Sequence, residues 1–443
     1  MSPRKGTIRM NMDEKKREPL LSDFLDYLGG TPTAGYAVVN SIRRLEKEGF
    51  RRLEEREEWK VEPGTRFYTV RSSASIIAGI AGKRPCREAG FRIVGAHTDF
   101  PGFRLKPCPD RTVDGMKVIG VEVYGGPIMA TWFDRDLSIA GALAVRDGHR
   151  VLRKPFMFNE PLCRMASPAV HLERNVNKEG FRIDAEKNTP LMFSSSGASF
   201  DDILGLACER AGADISDVAG WSMEVWDPQP PVIGGLNDDY IFSGRIDNLA
   251  MCHAAVSAVA SSEAADSTGL ITLFNSEEVG SVTLNGAASL FLDSVMERLA
   301  GSREDYFRSM TRSVLVSADG AHALHPNYAG KHDPGCRPVM NGGPVIKVNA
   351  KERYTSNELT SAYFRTCAER CGTEVQYFVS RNDLPCGSTI GPVTSSRTGV
   401  LSVDVGNPML SMHSVREMAG VRDHSAMVGV LAEHLSGSVE IEA

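Results

Sequence analysis

The chain has 443 residues, 42% hydrophobic and 24% charged, with a formal net charge of −6. This length favours two or three domains, and the mixed, mildly acidic charge gives no electrostatic basis for binding nucleic acid. No stretch reaches membrane-spanning length, and the polar segment Met1 to Leu20 lacks the apolar core of a signal peptide.

The nine cysteines are scattered without CxxC pairs, which points to a reducing cytoplasm rather than a disulfide framework. Cys367 and Cys371, four apart on a predicted helix face, read as small core residues. Along the chain, Leu21, Phe24, Leu25 and Leu28 share one face of a first helix, and a charged helix is predicted from Ala37 to Glu58. Strand signals then lead to His97. From about Leu105 to Pro231 the pattern changes to short strands, turns and a Ser-rich loop, Ser194 to Gly197. The run Trp226-Asp-Pro-Gln-Pro-Pro231 marks a boundary. Helix and strand then alternate: helix 246–264, strand 269–275, helix 283–299, strands 313–318 and 343–349, helix 356–371, strands 374–380 and 399–405, and helix 415–436. This order predicts an α/β three-layer sandwich, residues 1–104 and 236–443, interrupted by a β-rich inserted domain at 105–235.

The most informative run is Phe274-Asn-Ser-Glu277-Glu278-Val-Gly-Ser281. Two carboxylates follow an apolar strand, where burial is costly unless they are paired or hold a metal. One could bind a cation while its neighbour handles a water proton, the two tasks of metal-assisted hydrolysis. Further acids and histidines stand at or just beyond apolar runs: His97 and Asp99 after Phe91–Ala96, Asp319 and His322 after Ser313–Ala318, and His413 after Val400–Val405. Asp247 opens an Ala-rich predicted helix, where it could simply be an N-cap. Open α/β sheets place ligands at the carboxyl ends of their strands, and these residues fit such a site.

The ordered set Ala96-His-Thr-Asp99, Thr131-Trp-Phe-Asp-Arg-Asp-Leu137, His171-Leu-Glu-Arg-Asn175, Ser243-Gly-Arg-Ile-Asp-Asn248, Asn275-Ser-Glu-Glu-Val-Gly280, Ala318-Asp-Gly-Ala-His322, His325-Pro-Asn-Tyr328, Gly343-Pro-Val-Ile-Lys-Val-Asn349, Arg381-Asn-Asp-Leu-Pro-Cys-Gly387 and Met412-His-Ser-Val-Arg-Glu417 resembles the aspartyl aminopeptidase family of dinuclear zinc exopeptidases. It spans about nine tenths of the chain. The resemblance implies two zinc ions per subunit, other divalent metals being possible. His97 and Asp319 would hold one, Glu278 and His413 the other, and Asp247 would bridge them. Imidazole and carboxylate are suitable zinc ligands. Three carboxylate charges against two divalent ions leave a net positive core. Glu277 would be the general base and Asp99 would orient the His97 imidazole. Lys347 would meet the acidic side chain of the first substrate residue, with His322 and Tyr354 also in contact. His171 would reach a neighbouring subunit's site. Short peptides would be the substrates, and subunit pairs would assemble into a dodecamer.

Phe100, Pro127, Met129 and Gly320 depart from residues common at those family positions, and Phe100 stands closest to the expected pocket. An aminopeptidase with basic or neutral preference is therefore the alternative, and a catalytically silent assembly protein on the same fold is a second. Retention of all five ligand candidates and Glu277 argues against silence.

Overall fold

The structure is a computed structural model and describes residues 12–195 and 197–441. The N-terminal polar segment up to residue 11, and Ser196 of the Ser-rich loop, lie outside those residues. Nine strands form the central sheet in the order Arg51–Arg52, Arg66–Arg71, Ser75–Ile80, Thr268–Phe274, Phe91–His97, Val314–Ala318, Leu401–Gly406, Val345–Val348 and Gln376–Val379. The four strands from Thr268–Phe274 to Leu401–Gly406 are mutually parallel and buried almost throughout. Such strands are covered on both faces and so read as continuous apolar runs.

One face packs on helices Met12–Gly29, Ala34–Lys47, Ile246–Ser261, Glu358–Arg370 and Val421–Ser436, through Phe24, Leu28, Val256, Phe364 and Leu431. The other packs on Phe291–Ala300, Arg303–Met310 and Ile390–Thr398, through Phe291, Tyr306 and Ile390. The result is a three-layer α/β sandwich.

A six-stranded antiparallel sheet leaves this sandwich just after His97. Its order is Arg150–Met157, Ser138–Asp147, Val218–Trp226, Gly102–Val113, Met116–Tyr124 and Leu191–Ser194. Its own core includes Phe103, Ile139, Phe156 and Val225. A five-stranded sheet then joins Val232–Gly234, Tyr240–Ser243, Glu417–Gly420, Pro408–Leu410 and Ala321–His322. Among the described residues, no helix is long and apolar enough to cross a membrane.

Several predicted boundaries are corrected. The charged helix ends at Lys47 rather than Glu58. Gly49 (φ +81°) takes the left-handed conformation that closes a helix, and the Phe50 N–H returns to the Leu45 carbonyl at 3.1 Å. Helix 283–299 begins only at Phe291, and helix 415–436 only at Val421, because Glu417–Gly420 pairs with Tyr240–Ser243 as a strand. The inserted region also carries helix Phe200–Ala211, whose N-terminal signal was present: Asp202 accepts the Ser199 backbone N–H at 2.7 Å.

Candidate active site

Parallel strands bring their carboxyl ends to one edge, and register aligns them closely: Phe274 stands opposite His97, and Ala318 opposite Val405. His97 ends its strand, Glu277 and Glu278 form a short turn beyond Phe274, and Asp319 follows Ala318. Asp247 enters from the first turn of helix Ile246–Ser261, and His413 from the turn after Pro408–Leu410.

The five residues form two overlapping groups, His97–Asp247–Asp319 and Asp247–Glu278–His413. His97 Nε2 lies 3.4 Å from Asp319 Oδ1 and 3.6 Å from Asp247 Oδ1. His413 Nε2 lies 3.4 Å from Asp247 Oδ2 and 3.6 Å from Glu278 Oε2. The two oxygens of Asp247 thus face different imidazoles. Among the described residues, Asp247 Oδ1 and Glu278 Oε1 are buried with no hydrogen-bond donor. Buried, unpartnered carboxylate oxygens among imidazoles fit a cation-binding centre. Both rings are fixed with Nε2 turned inward. His97 Nδ1 donates to the Asp99 backbone carbonyl at 3.0 Å, and His413 Nδ1 to the Gly126 carbonyl at 2.9 Å.

Crowding perturbs several charges here. Burial opposes protonation of His97, but its contacts with Asp319 and Asp99 raise its pKa well above the ordinary range. Burial likewise opposes His413, yet Asp247 and Glu278 lift it to about 10. Burial, then Asp247, pushes Glu278 far upward. Burial raises Glu277 to about 7; His97 opposes this and Asp319 and Asp247 add to it. Against burial, Lys347 and His97 hold Asp319 well below the usual carboxylate range. A divalent cation among these groups would favour their ionised forms.

Glu277 belongs to neither of these two groups, but it forms a third with His97 and Glu278, and its Oε2 lies 4.0 Å from His97 Nε2. Asp99 does more than flank His97. Its carboxylate is 3.5 Å from Nδ1, but it also accepts the backbone N–H groups of Glu277 (3.1 Å) and Glu278 (3.2 Å) and the Tyr124 hydroxyl (2.7 Å).

Lys347, His322 and Tyr354 line the same cleft of about 510 Å³ as the five candidate ligands and Glu277. Lys347 is 2% exposed; its Nζ donates to the Gly320 carbonyl (2.9 Å), lies 3.2 Å from Asp319 Oδ2 and sits 5.2 Å from the Tyr354 ring centre. Phe100 packs behind the site, with Arg245 stacked 5.8 Å from its ring. His171 is elsewhere, on an exposed turn of the inserted region, and is not part of this chain's own cleft. Tyr124 and Glu417 were given no role by sequence. Tyr124 stood outside every motif, whereas Glu417 closed the His413 motif and was open to detection.

An acid- and histidine-lined cleft at the strand ends of an α/β sandwich, with a spare glutamate beside it, defines a metallohydrolase. The family model for aminopeptidase I zinc metalloproteases (M18) matches residues 27–434. A probable M18 family aminopeptidase 2 of Ectopseudomonas mendocina (strain ymp) is 42% identical over 426 residues, covering 95% of this chain and 99% of its own. Its counterpart in Pseudomonas aeruginosa (strain UCBPP-PA14) is 41% identical over 427 residues, with the same coverage. Among solved structures, a chain of the cryo-EM structure of the Ape4 and Nbr1 complex superposes with TM-score 0.92 at 35% identity, covering 97% of this chain and 88% of that one. The S. cerevesiae mApe1 dodecamer superposes with TM-score 0.82 at 27% identity, covering 95% and 96%. The chain belongs to the M18 family of zinc-dependent aminopeptidases, and is an exopeptidase of the aspartyl aminopeptidase type of fold.

Proposed function

We propose that the protein removes acidic residues, Asp or Glu, from the N-termini of short peptides, with two zinc ions held by His97, Asp247, Glu278, Asp319 and His413. The observation that carries this reading is Asp247, whose two carboxylate oxygens face His97 at 3.6 Å and His413 at 3.4 Å, as a ligand shared between two ions requires. When bound, zinc supplies Lewis acidity that polarises the scissile carbonyl and acidifies a water. Glu277 takes the proton of the attacking water and passes it to the leaving amine. Its position beside the ligands, and burial that lifts its pKa to about 7, suit a group that must accept and release a proton near neutral pH. Asp99 holds the Glu277-Glu278 turn by its backbone. Lys347 presents a buried ammonium to the carboxylate of the first substrate residue, with Tyr354 and His322 forming the pocket wall.

Residues 105–235 act as the dimerisation domain in this reading, His171 completes the site of a paired subunit, and the pairs close into a dodecamer. Support comes from the exposed position of His171 and from the dodecameric state of the yeast mApe1 neighbour. Closed symmetric assembly is the usual form of homo-oligomers.

The experiment is Glu277→Gln. Zinc content should stay at two per subunit, while kcat on Glu- and Asp-peptides falls by at least ~10²–10⁴-fold. Near-normal turnover, or loss of metal with turnover, would overturn the role given to Glu277.

A further inference from the structure

We infer that Glu417 is a positioning residue of the metal centre, doing for Asp247 and His413 what Asp99 does for Glu277 and Glu278. It rests on the ligand assignment proposed above.

The backbone of each of these four residues is held by a buried carboxylate. Asp99 grips the two N–H groups of the Glu277-Glu278 turn. Glu417 grips the other two: Oε2 accepts the Asp247 N–H at 3.1 Å and Oε1 accepts the His413 N–H at 2.9 Å. Among the described residues these are the only hydrogen bonds of its side chain, which makes no ion pair. It is 3% exposed, at the start of strand Glu417–Gly420 and in register with Ser243. That register places its carboxylate between the chain entering helix Ile246–Ser261 and the turn carrying His413.

Neither ligand has regular backbone: Asp247, in the first turn of its helix, has the non-helical angles φ −79°, ψ 109°. His413 has φ +69°, and Arg245, two residues before Asp247, has φ +63°. Non-glycine residues persist in this region only where their surroundings over-determine them. Here the Glu417 carboxylate holds His413 itself and, through the Asp247 N–H, the chain just after Arg245. It fixes the spacing of a shared ligand and a terminal ligand that come from opposite ends of the second half of the chain.

The chemistry requires a carboxylate of this length. Two N–H donors need two acceptor oxygens. Glutamine offers one oxygen and an NH₂ group that would oppose the second N–H. Aspartate is one methylene short of spanning both.

The test uses the full-length protein and zinc as the probe. Glu417→Gln and Glu417→Asp are compared with the wild type by chelator competition and by thermal unfolding, with and without metal. Zinc affinity should fall about 10- to 100-fold in Glu417→Gln, as is typical when the partners that orient metal ligands are removed. Glu417→Asp should shift in the same direction. The melting temperature of the metal-free protein should be nearly unchanged, while its rise on adding zinc shrinks. A residue with a merely structural role would instead lower the metal-free melting temperature and leave the zinc-induced rise intact. Equal zinc affinity in the wild type and both variants overturns the inference. So does failure of both variants to give folded metal-free protein, because a residue acting through the ligands leaves that fold in place. Asp247→Ala and His413→Ala are measured in parallel. If they keep two tightly bound zinc ions, the ligand assignment fails. If they lose zinc and the Glu417 variants do not, only the role of Glu417 fails.

Discussion

Replacing Lys347 by Met should remove the preference for acidic N-terminal residues while leaving an aminopeptidase. The Lys347 ammonium has three donors. One is committed to the Gly320 carbonyl at 2.9 Å and one to Asp319 Oδ2 at 3.2 Å, which leaves one for a ligand. A hydrogen bond to a charged group contributes roughly 1.5–3 kcal/mol, which is about 10- to 150-fold in discrimination. The same ammonium offsets the charge of Asp319, so Lys347→Met will lower kcat/KM for every substrate. The quantity to measure is therefore the ratio of kcat/KM for a Glu-peptide to that for its Leu analogue, in which the shared loss cancels. Methionine keeps an apolar stem beside Tyr354, so the pocket is not emptied. The ratio should fall about 10- to 150-fold, and Lys347→Arg should retain part of it. A ratio unchanged in Lys347→Met, with both rates reduced alike, would show that Lys347 serves Asp319 alone. Wild-type preference for Leu or Lys peptides would replace the acidic reading with a basic or neutral one.

Gly125 (φ +66°) passes so close to the site that an added Cβ would meet Glu278 Cβ at 3.0 Å and Oε2 at 3.3 Å. Gly125→Ala should therefore weaken zinc binding, measured by chelator competition, with little change in secondary structure by circular dichroism. His434 is buried, donates to the Ile93 carbonyl at 3.0 Å and accepts from the Tyr363 hydroxyl at 2.8 Å. Burial and the Arg92 charge hold its pKa at about 3. The unfolded chain protonates near 6.5, so the unfolded state binds more protons between these values and stability falls as pH drops through that window. Between pH 7 and 5 this one residue should cost the wild type roughly 2 kcal/mol relative to His434→Gln; parallel denaturant curves for the two proteins across that range would contradict it. Mixing His171→Ala subunits with Glu277→Gln subunits under exchange should restore part of the activity, since a mixed pair can contain one intact site. No rescue in properly exchanged mixtures would place His171 outside catalysis.

The central sheet could be read from sequence because its strands are buried on both faces and therefore apolar throughout, as in Thr268–Phe274 and Phe91–His97. Helix limits were harder. The charged pattern from Ala37 to Glu58 has helical composition at both ends, and Gly49 decides where it stops. Helix Ile390–Thr398 hides in a β-branched and Ser-rich stretch, Ile-Gly-Pro-Val-Thr-Ser-Ser-Arg-Thr, whose propensity is poor. It forms because Thr389 caps it and Ile390 is buried against the sheet. Tertiary packing overrides local preference there.

The site divides in the same way. Residues that project from strand ends could be found, because a carboxylate or imidazole after an apolar run is anomalous in itself. Residues that act on other site residues carry no such signal of their own: Asp99 and Glu417 were legible only through the motifs of His97 and His413. Tyr124 illustrates this: it ends a strand of the six-stranded sheet, and only the path of that strand past His97 brings its hydroxyl 2.7 Å from Asp99. The two residues after it continue the contact, Gly125 against Glu278 and Gly126 with His413 Nδ1. Three consecutive residues of the inserted segment thus reach Asp99, Glu278 and His413. The inserted segment therefore walls the candidate site as well as forming a separate sheet. A displacement of that sheet would reach Asp99 and His413 directly, through hydrogen bonds of 2.7 and 2.9 Å.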